Sequence, residues 1–460
     1  RDFETMLELA RSAELTADTP AAARARDVAF DYFEQPWRDA FGLFDISRLQ
    51  NQDRSLGPTA LECEAYWALT YILLDTGQLD EMATRAREFL ALAESTRNEH
   101  RRLEALGWLA LRELTLSDLD AVKRYVAEGL PAARAIPHER ALYLFLDAGS
   151  RVHQLDAEYE RAEQMCTETL PLTLEANGRV SALLGVGIAR AHLGRVSAAL
   201  TPLSQALDIA QRAGIVESVP MVTGVLGWLH GELGDFAGAV EHFTAASARA
   251  AAVGRADTEA PLRFQLARAH WALGDAASAH AEAARAEQLV AARPARRGAP
   301  SVSSMRRQLQ LDAAHGEYRV ASGELAAAET IGERLLHGAL ERRSPKHVAI
   351  ARLLLAQAAL GLGRPDSAQR HALAGLEVLV ERPIPLVEWR LLATLATALQ
   401  QTNDANSAAD ALARASAVLD RIERSIDDDR LRERWANARA VRALRAAAPA
   451  ATAGGVRAAV

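Results

Sequence analysis

The sequence predicts an all-α fold, a solenoid of helix-turn-helix units stacked along one chain. Three observations carry this. First, within residues 183–289 one pattern is written three times, as LGVGIARAHLGRVSAALTPLSQALDIAQRAG, LGWLHGELGDFAGAVEHFTAASARAAAVG and LARAHWALGDAASAHAEAARAEQL, with Gly194, Gly234 and Gly274 spaced 40 residues apart. Second, apolar residues on either side of each glycine recur at steps of three and four, as in Leu226, Leu229 and Leu233 before Gly234 and Ala239, Phe243, Ala246 and Ala250 after it. Such steps line one stripe of a helix. Third, alanine recurs at fixed places after the glycine, at Ala199 and Ala206, Ala239 and Ala246, Ala279 and Ala286. A one-methyl side chain at a helix crossing lets two antiparallel helices approach closely.

Each unit is therefore a helix, a tight turn and a second helix. Asp235, Asp275 and Ser197 follow the turn glycines and suit a helix N-terminus with its free N–H groups. Gly214 and Gly254, again 40 apart, fall where second helices should stop and suit a left-handed C-cap. Pro202 lies early in a second helix and predicts a slight kink rather than a break.

The residues Leu226, Gly227, Gly234, Asp235, Phe236, Ala239, Phe243 and Ala246 match, in order, the pattern of the tetratricopeptide repeat, and the chain resembles that family. The resemblance implies a right-handed superhelix. The family's usual period is about 34 residues. The longer period here resembles the repeats in C-terminal regions of large bacterial signalling regulators, among them signal-transducing ATPases related to the maltose-operon activator.

In chain order, residues 1–57 are helical in pattern but out of register with the repeats. Phe30, Phe33, Trp37, Phe41 and Phe44 fall there at steps of three and four. Two readings stand: helices capping an exposed solenoid end, or a docking surface for another domain. A first block of repeats occupies 58–290, with turns at Gly77, Ser117, Ala157, Gly194, Gly234 and Gly274. The Pro-, Gly- and Arg-rich stretch at 291–303 cannot continue a helix and reads as a loop or hinge. A second block at 304–424 turns at Gly323, Gly363 and Asn403; asparagine, like glycine, tolerates the left-handed conformation. Residues 425–446 resemble a C-terminal capping helix, with Ile426, Leu431, Trp435, Val441 and Leu444 as its buried face, and 447–460 have the composition of a disordered tail.

Composition narrows the function classes. The chain of 460 residues has a net charge of −7, with acids and bases interleaved, which argues against bulk attraction to nucleic acid. Only Lys123 and Lys346 among 53 basic residues are lysine, as expected of a GC-rich genome. Cys63 and Cys166 have no partner spacing, which fits a reducing compartment. No apolar run reaches the roughly 18 residues of a membrane span, and no signal peptide is visible. A cytoplasmic location follows as an expectation. Because the chain opens on Arg1 rather than Met, a fragment of a longer protein is also expected.

Catalytic motifs are missing from the sequence. Neither Lys123 nor Lys346 has the glycine-rich neighbours of a phosphate-binding loop, and Lys123 lacks a kinase setting. His138 and Glu139 are followed by Leu142 where a zinc motif needs a second histidine. Gly185 and Gly187 lie inside a helix, not after a strand as in a dinucleotide fold. His192, His230 and His270 end first helices and read as capping or groove histidines rather than metal ligands. The expectation is a non-enzyme without cofactor or metal.

The resemblance places ligand-facing positions on first helices. Carried over, they give Trp67, Tyr71, Asp147, Arg151, Gln154, Leu184, His192, Met221, Trp228, Glu232, Phe264, Arg268 and Trp271. Of these, Trp67, Tyr71, Arg151, His192, Trp228, Glu232, Phe264, Arg268 and Trp271 form the candidate groove. Its aromatic and charged side chains suit a protein segment or a small polar effector, with nucleic acid and membrane excluded. The competing reading packs the same aromatics between repeats. The leading function is the sensor or scaffold region of a larger bacterial signalling or transcriptional regulator, touching other domains of its own chain. A stand-alone adaptor, or a peptide or small-molecule receptor, is the alternative.

Overall fold

In the computed structural model the residues described are 60–75, 78–116, 118–136, 139–173, 176–292 and 302–447. They form α-helices joined by tight turns. The first six are α1 (Ala60–Asp75), α2 (Leu79–Ser95), α3 (Glu99–Leu116), α4 (Leu119–Ala135), α5 (Glu139–Leu155) and α6 (Tyr159–Thr169). Next come α7 (Ala176–His192), α8 (Val196–Arg212), α9 (Ser218–Glu232), α10 (Phe236–Ala252), α11 (Ala256–Ala272) and α12 (Ala276–Ala291). The chain continues with α13 (Val302–Ala321), α14 (Leu325–Glu341), α15 (Pro345–Gly361), α16 (Pro365–Leu379), α17 (Pro385–Gln401) and α18 (Ala405–Arg424), and ends in α19 (Asp429–Asn437) and α20 (Arg439–Ala447). The described residues contain no β-strand. No helix among them is long and apolar enough to cross a membrane.

The helices pack as consecutive pairs, and the backbone at each turn explains the period. Gly194, Gly234, Gly274, Gly323 and Gly363 all have φ between +71° and +83°, and Ala157 and Asn403 hold the same left-handed conformation at φ +58° and +60°. Gly214 and Gly254 close second helices in that conformation as well. The expected turns at Gly77 and Ser117 lie outside the described residues, as do 1–59, 293–301 and 448–460.

The alanine positions lie at the helix crossings. Ala199, Ala206, Ala239, Ala246, Ala279 and Ala286 have no exposed surface. In the pair formed by α3 and α4 the second of these positions is Gly129, where a Cβ would lie 2.0 Å from Phe145 Cζ. There the neighbouring ring leaves no room even for a methyl group.

Helix α8 runs through Pro202 without interruption. Proline cannot donate to the carbonyl four residues back. The Arg190 guanidinium from α7 donates to that Ala198 oxygen at 3.1 Å, so the carbonyl keeps a partner.

The chain divides into two compact units: residues 1–152 with 164–182, and 153–163 with 183–460. In the first, Leu103, Leu106, Leu130, Ala133, Ala141, Phe145 and Leu146 make the core between α3, α4 and α5. In the second, α9 to α18 pair in sequence, and the end of the unit returns to its beginning. The Ser425 hydroxyl donates to the Gly194 carbonyl at 2.7 Å and accepts from the Val196 N–H at 3.1 Å. The Asp427 N–H donates to Ser197 Oγ at 2.7 Å, and Arg382 Nε donates to the Asp156 carbonyl at 2.7 Å. Arg434 pairs with Asp235.

The closing segment forms two short helices, α19 and α20, which meet at Ala438. Ile426, Leu431, Trp435, Val441 and Leu444 are all buried. The Trp435 ring meets Trp389 edge-on at 6.0 Å.

Candidate functional site

A regular period returns each first helix of a pair to the same face, so residues on α9, α11, α13, α15 and α17 of the second unit line one surface. Charged groups concentrate there. Glu232, at the end of α9, keeps 3% of its side chain exposed and accepts from Arg268 of α11 at 3.0 Å and from Arg390 of α17. Arg268 also reaches Glu317 of α13 at 3.4 Å, and Gln265 Nε2 donates to the same carboxylate at 2.7 Å. Burial alone would weaken the Arg268 charge, but Glu317 and Glu232 outweigh it, and the pKa is raised. Arg390 is joined to Glu232 although the two are 158 residues apart in sequence.

The candidate groove residues fall into both units. Trp67 and Tyr71 belong to the first, stacked with ring centroids 6.2 Å apart, and each meets Trp108 edge-on. The Arg140 guanidinium lies 4.4 Å over the Trp67 ring, and Trp67 is buried. Arg151 is exposed and pairs with Asp147 of its own helix at 3.1 Å. Gln154, in the second unit, is half-buried.

The other six groove residues lie in the second unit. The His192 ring is 4.9 Å from half-buried Trp228. Trp228 also packs on the core of Ala239, Phe243, Leu266 and Ala269. Phe264 is fully buried in the core shared by α11, α12 and α13, where it stacks on His315 at 4.1 Å. Trp271 packs on the rim of that core and meets His280 edge-on. Leu184 is buried and Met221 exposed. The structure thus brings His192 to Trp228 and Glu232 to Arg268, while Phe264 contributes to packing between pairs.

The histidines at the ends of first helices have an acid five residues on. His153 meets Glu158 at 2.6 Å, His230 meets Asp235 at 2.8 Å and His270 meets Asp275 at 3.5 Å. Asp235 and Asp275 also cap the next helix by accepting from the N–H groups of Gly238 and Ser278. His192 breaks this series. It is buried, and burial, then the Lys346 and Arg306 charges, hold its pKa well below the ordinary histidine value. Among the described residues, no three His, Cys, Asp or Glu side chains converge as they would for a metal ion.

The periodic pattern alone does not identify Arg390, which the structure joins to Glu232, Tyr159, whose ring stacks on His192, or Arg306 and Lys346, whose charges act on His192. Lys346 carries one mark in the sequence, as one of only two lysines. Its amine is pushed down to about 7 by burial and then by Arg306, with Glu317 opposing.

No family model matches the sequence, and no curated protein does. Solved structures do. The chain is similar to a Rap protein complexed with competence and sporulation factor, at 14% identity and a TM-score of 0.59, over 79% of this chain and 99% of that one. It is also similar to the Rap conjugation gene regulator of plasmid pLS20 in complex with the Phr* peptide, at 13% identity and a TM-score of 0.51, over 76% of this chain and 98% of that one. At such identities the likeness is one of fold: an all-α array of tetratricopeptide-like helix pairs.

Proposed function

We propose that the chain is a non-catalytic binding array whose second unit holds a protein segment or a small effector on its first-helix face. The observation that carries this reading is the Glu232 carboxylate held between Arg268 and Arg390, on the same helix as Trp228, whose ring meets His192. A rigid aromatic surface next to fixed, directional charge is the chemistry of peptide and polar-ligand recognition. The similarity to two Rap proteins, both described with a bound factor or peptide, supports a peptide as the occupant.

In this reading the array is the sensor region of a larger cytoplasmic bacterial regulator, of the long-period type that the repeats resemble. In the same reading residues 425–446 cap the repeats of 304–424. Occupancy biases a partner domain through differential affinity for its states.

Trp228→Ala and Arg268→Ala test the reading once a partner has been captured. Each should weaken its binding about tenfold or more, a change of about 1.4 kcal/mol. Unchanged binding by both variants, with helix content intact, would remove this face from the function.

A further inference from the structure

Two turns of the second unit carry the same three residues, Leu233, Gly234 and Asp235 in one repeat and Leu273, Gly274 and Asp275 in the next. Their backbones agree as well, with both glycines left-handed at φ +77° and +83°. Each aspartate caps the helix that follows and faces the histidine five residues before it. The first turn is covered by the end of the same unit. Arg434 of α19 pairs with the Asp235 carboxylate, and Ala438, just after α19, lies so close to Gly234 that a Cβ added there would be 2.8 Å from the alanine methyl. Leu233 is fully buried.

The second turn is built alike and stands open. Leu273 is 53% exposed, and nothing lies within 4 Å of where a Cβ on Gly274 would be. The Asp275 side chain is 47% exposed against 8% for Asp235. Hydrogen bonds from Ser278 hold the Asp275 carboxyl below its usual range, so it is charged, yet no guanidinium meets it among the described residues. Ala272, Ala276 and Ala277 beside it are exposed and small enough for a close approach. The remaining open turns lack this set. Glu324 after Gly323 is held by Arg319, Arg364 after Gly363 carries the opposite charge, and Asn403 is preceded by Thr402 instead of leucine.

We propose that the turn formed by Leu273, Gly274 and Asp275 docks a short helix of a partner protein, one that carries an arginine and, four residues later, an alanine. The template is α19 on the neighbouring turn: the arginine pairs with Asp275, the alanine methyl seats on Gly274, and the body of the helix covers Leu273. A residue larger than alanine at the second place would hold the helix off the glycine, which makes the site selective. The chain's own cap is already engaged at Gly234, so the occupant comes from another chain. The surface belongs to the turns, and the inference goes beyond the groove reading without depending on it.

A synthetic peptide of residues 425–447, which contains α19 and α20, serves as the probe, and its binding to the full chain is read by fluorescence anisotropy. The expected dissociation constant is in the micromolar range, in keeping with a small contact. Asp275→Asn keeps the helix cap and removes the charge, and should weaken binding about fivefold. Arg434→Ala in the peptide should do the same, and the two together should cost little more than either alone, because both remove one pair. Leu273→Ser in the chain, or Ala438→Leu in the peptide, should each weaken binding about tenfold. The proposal is overturned if the peptide does not bind, or if Asp275→Asn and Leu273→Ser leave its binding unchanged. It is overturned equally if Asp235→Asn weakens binding and Asp275→Asn does not, since the peptide would then have displaced the chain's own cap. None of those results touches the groove reading, which is judged by partner capture with the Trp228 variant.

Discussion

The Ser425 hydroxyl donates to the carbonyl of Gly194, 231 residues earlier in the chain, and so joins the last helix pair of the second unit to its first. Gly194 lies against Pro385 and Ile422, and a Cβ added to Gly234 would lie 2.8 Å from Ala438 Cβ. Gly274 has the same left-handed backbone, but nothing lies within 4 Å of where its Cβ would be. Gly274→Ala should therefore cost only the conformational strain, about 1–2 kcal/mol. Gly234→Ala should cost roughly twice that, because a closed contact must also open. Urea unfolding of the two variants measures the difference, and Ala438→Gly added to Gly234→Ala should recover the excess.

Asp235 and Asp275 occupy equivalent places in successive repeats, yet their surroundings differ. Both cap a helix and face a histidine, but buried Asp235 also holds Arg434. Asp235→Ala should cost about 2–3 kcal/mol, from the lost cap and the stranded partners. Asp275→Ala should cost clearly less. Equal losses in denaturant melts would show that the Arg434 contact contributes nothing.

Glu232→Ala would take the carboxylate from Arg390 and leave Arg268 with Glu317 alone. Breaking a buried pair on one side typically costs about 3–5 kcal/mol. Replacing Glu232 and Arg390 together by methionine should recover much of that loss, because Arg268 still faces Glu317 and no uncompensated charge remains. Thermal melts of the single and double variants decide the point.

Stability should fall as the solution is acidified below the ordinary histidine range. His192 and His347 are held well below their usual pKa, chiefly by burial. With folded values depressed, the unfolded chain takes up protons first as pH drops through about 6.5, and each histidine then removes up to about 1.4 kcal/mol per pH unit. Lys346, depressed to about 7, acts in the same direction between its unfolded value and 7, so stability rises with pH there too. Denaturant midpoints between pH 5 and 8 should flatten in the His192→Gln, His347→Gln double variant.

The turns of the array are legible because a left-handed backbone restricts the residue to glycine, asparagine or a strained substitute, and Gly194, Gly234 and Asn403 write that restriction openly. The helix crossings are legible for a similar reason, as at Ala239 and Ala246. The face of an aromatic is not. Phe264 and Trp228 share the same helical spacing, but Phe264 is core and Trp228 is half-buried beside His192. The partners that complete the charged cluster were out of reach as well. Nothing near Glu232 in sequence points to Arg390, and nothing near His192 points to Lys346, because their proximity depends on how the successive pairs turn.

Open arrays of repeats evolve by gaining or losing whole units, since each copy meets only its immediate neighbours. The second unit forfeits that freedom: Ser197 must find Asp427, and Asp235 must find Arg434, at a fixed number of helix pairs. Duplication or loss of one 40-residue copy between them would misalign every bond of the closure. The copy number of this unit is therefore set by its geometry, and descendants of the chain can diversify it by substitution far more readily than by recombination of repeats.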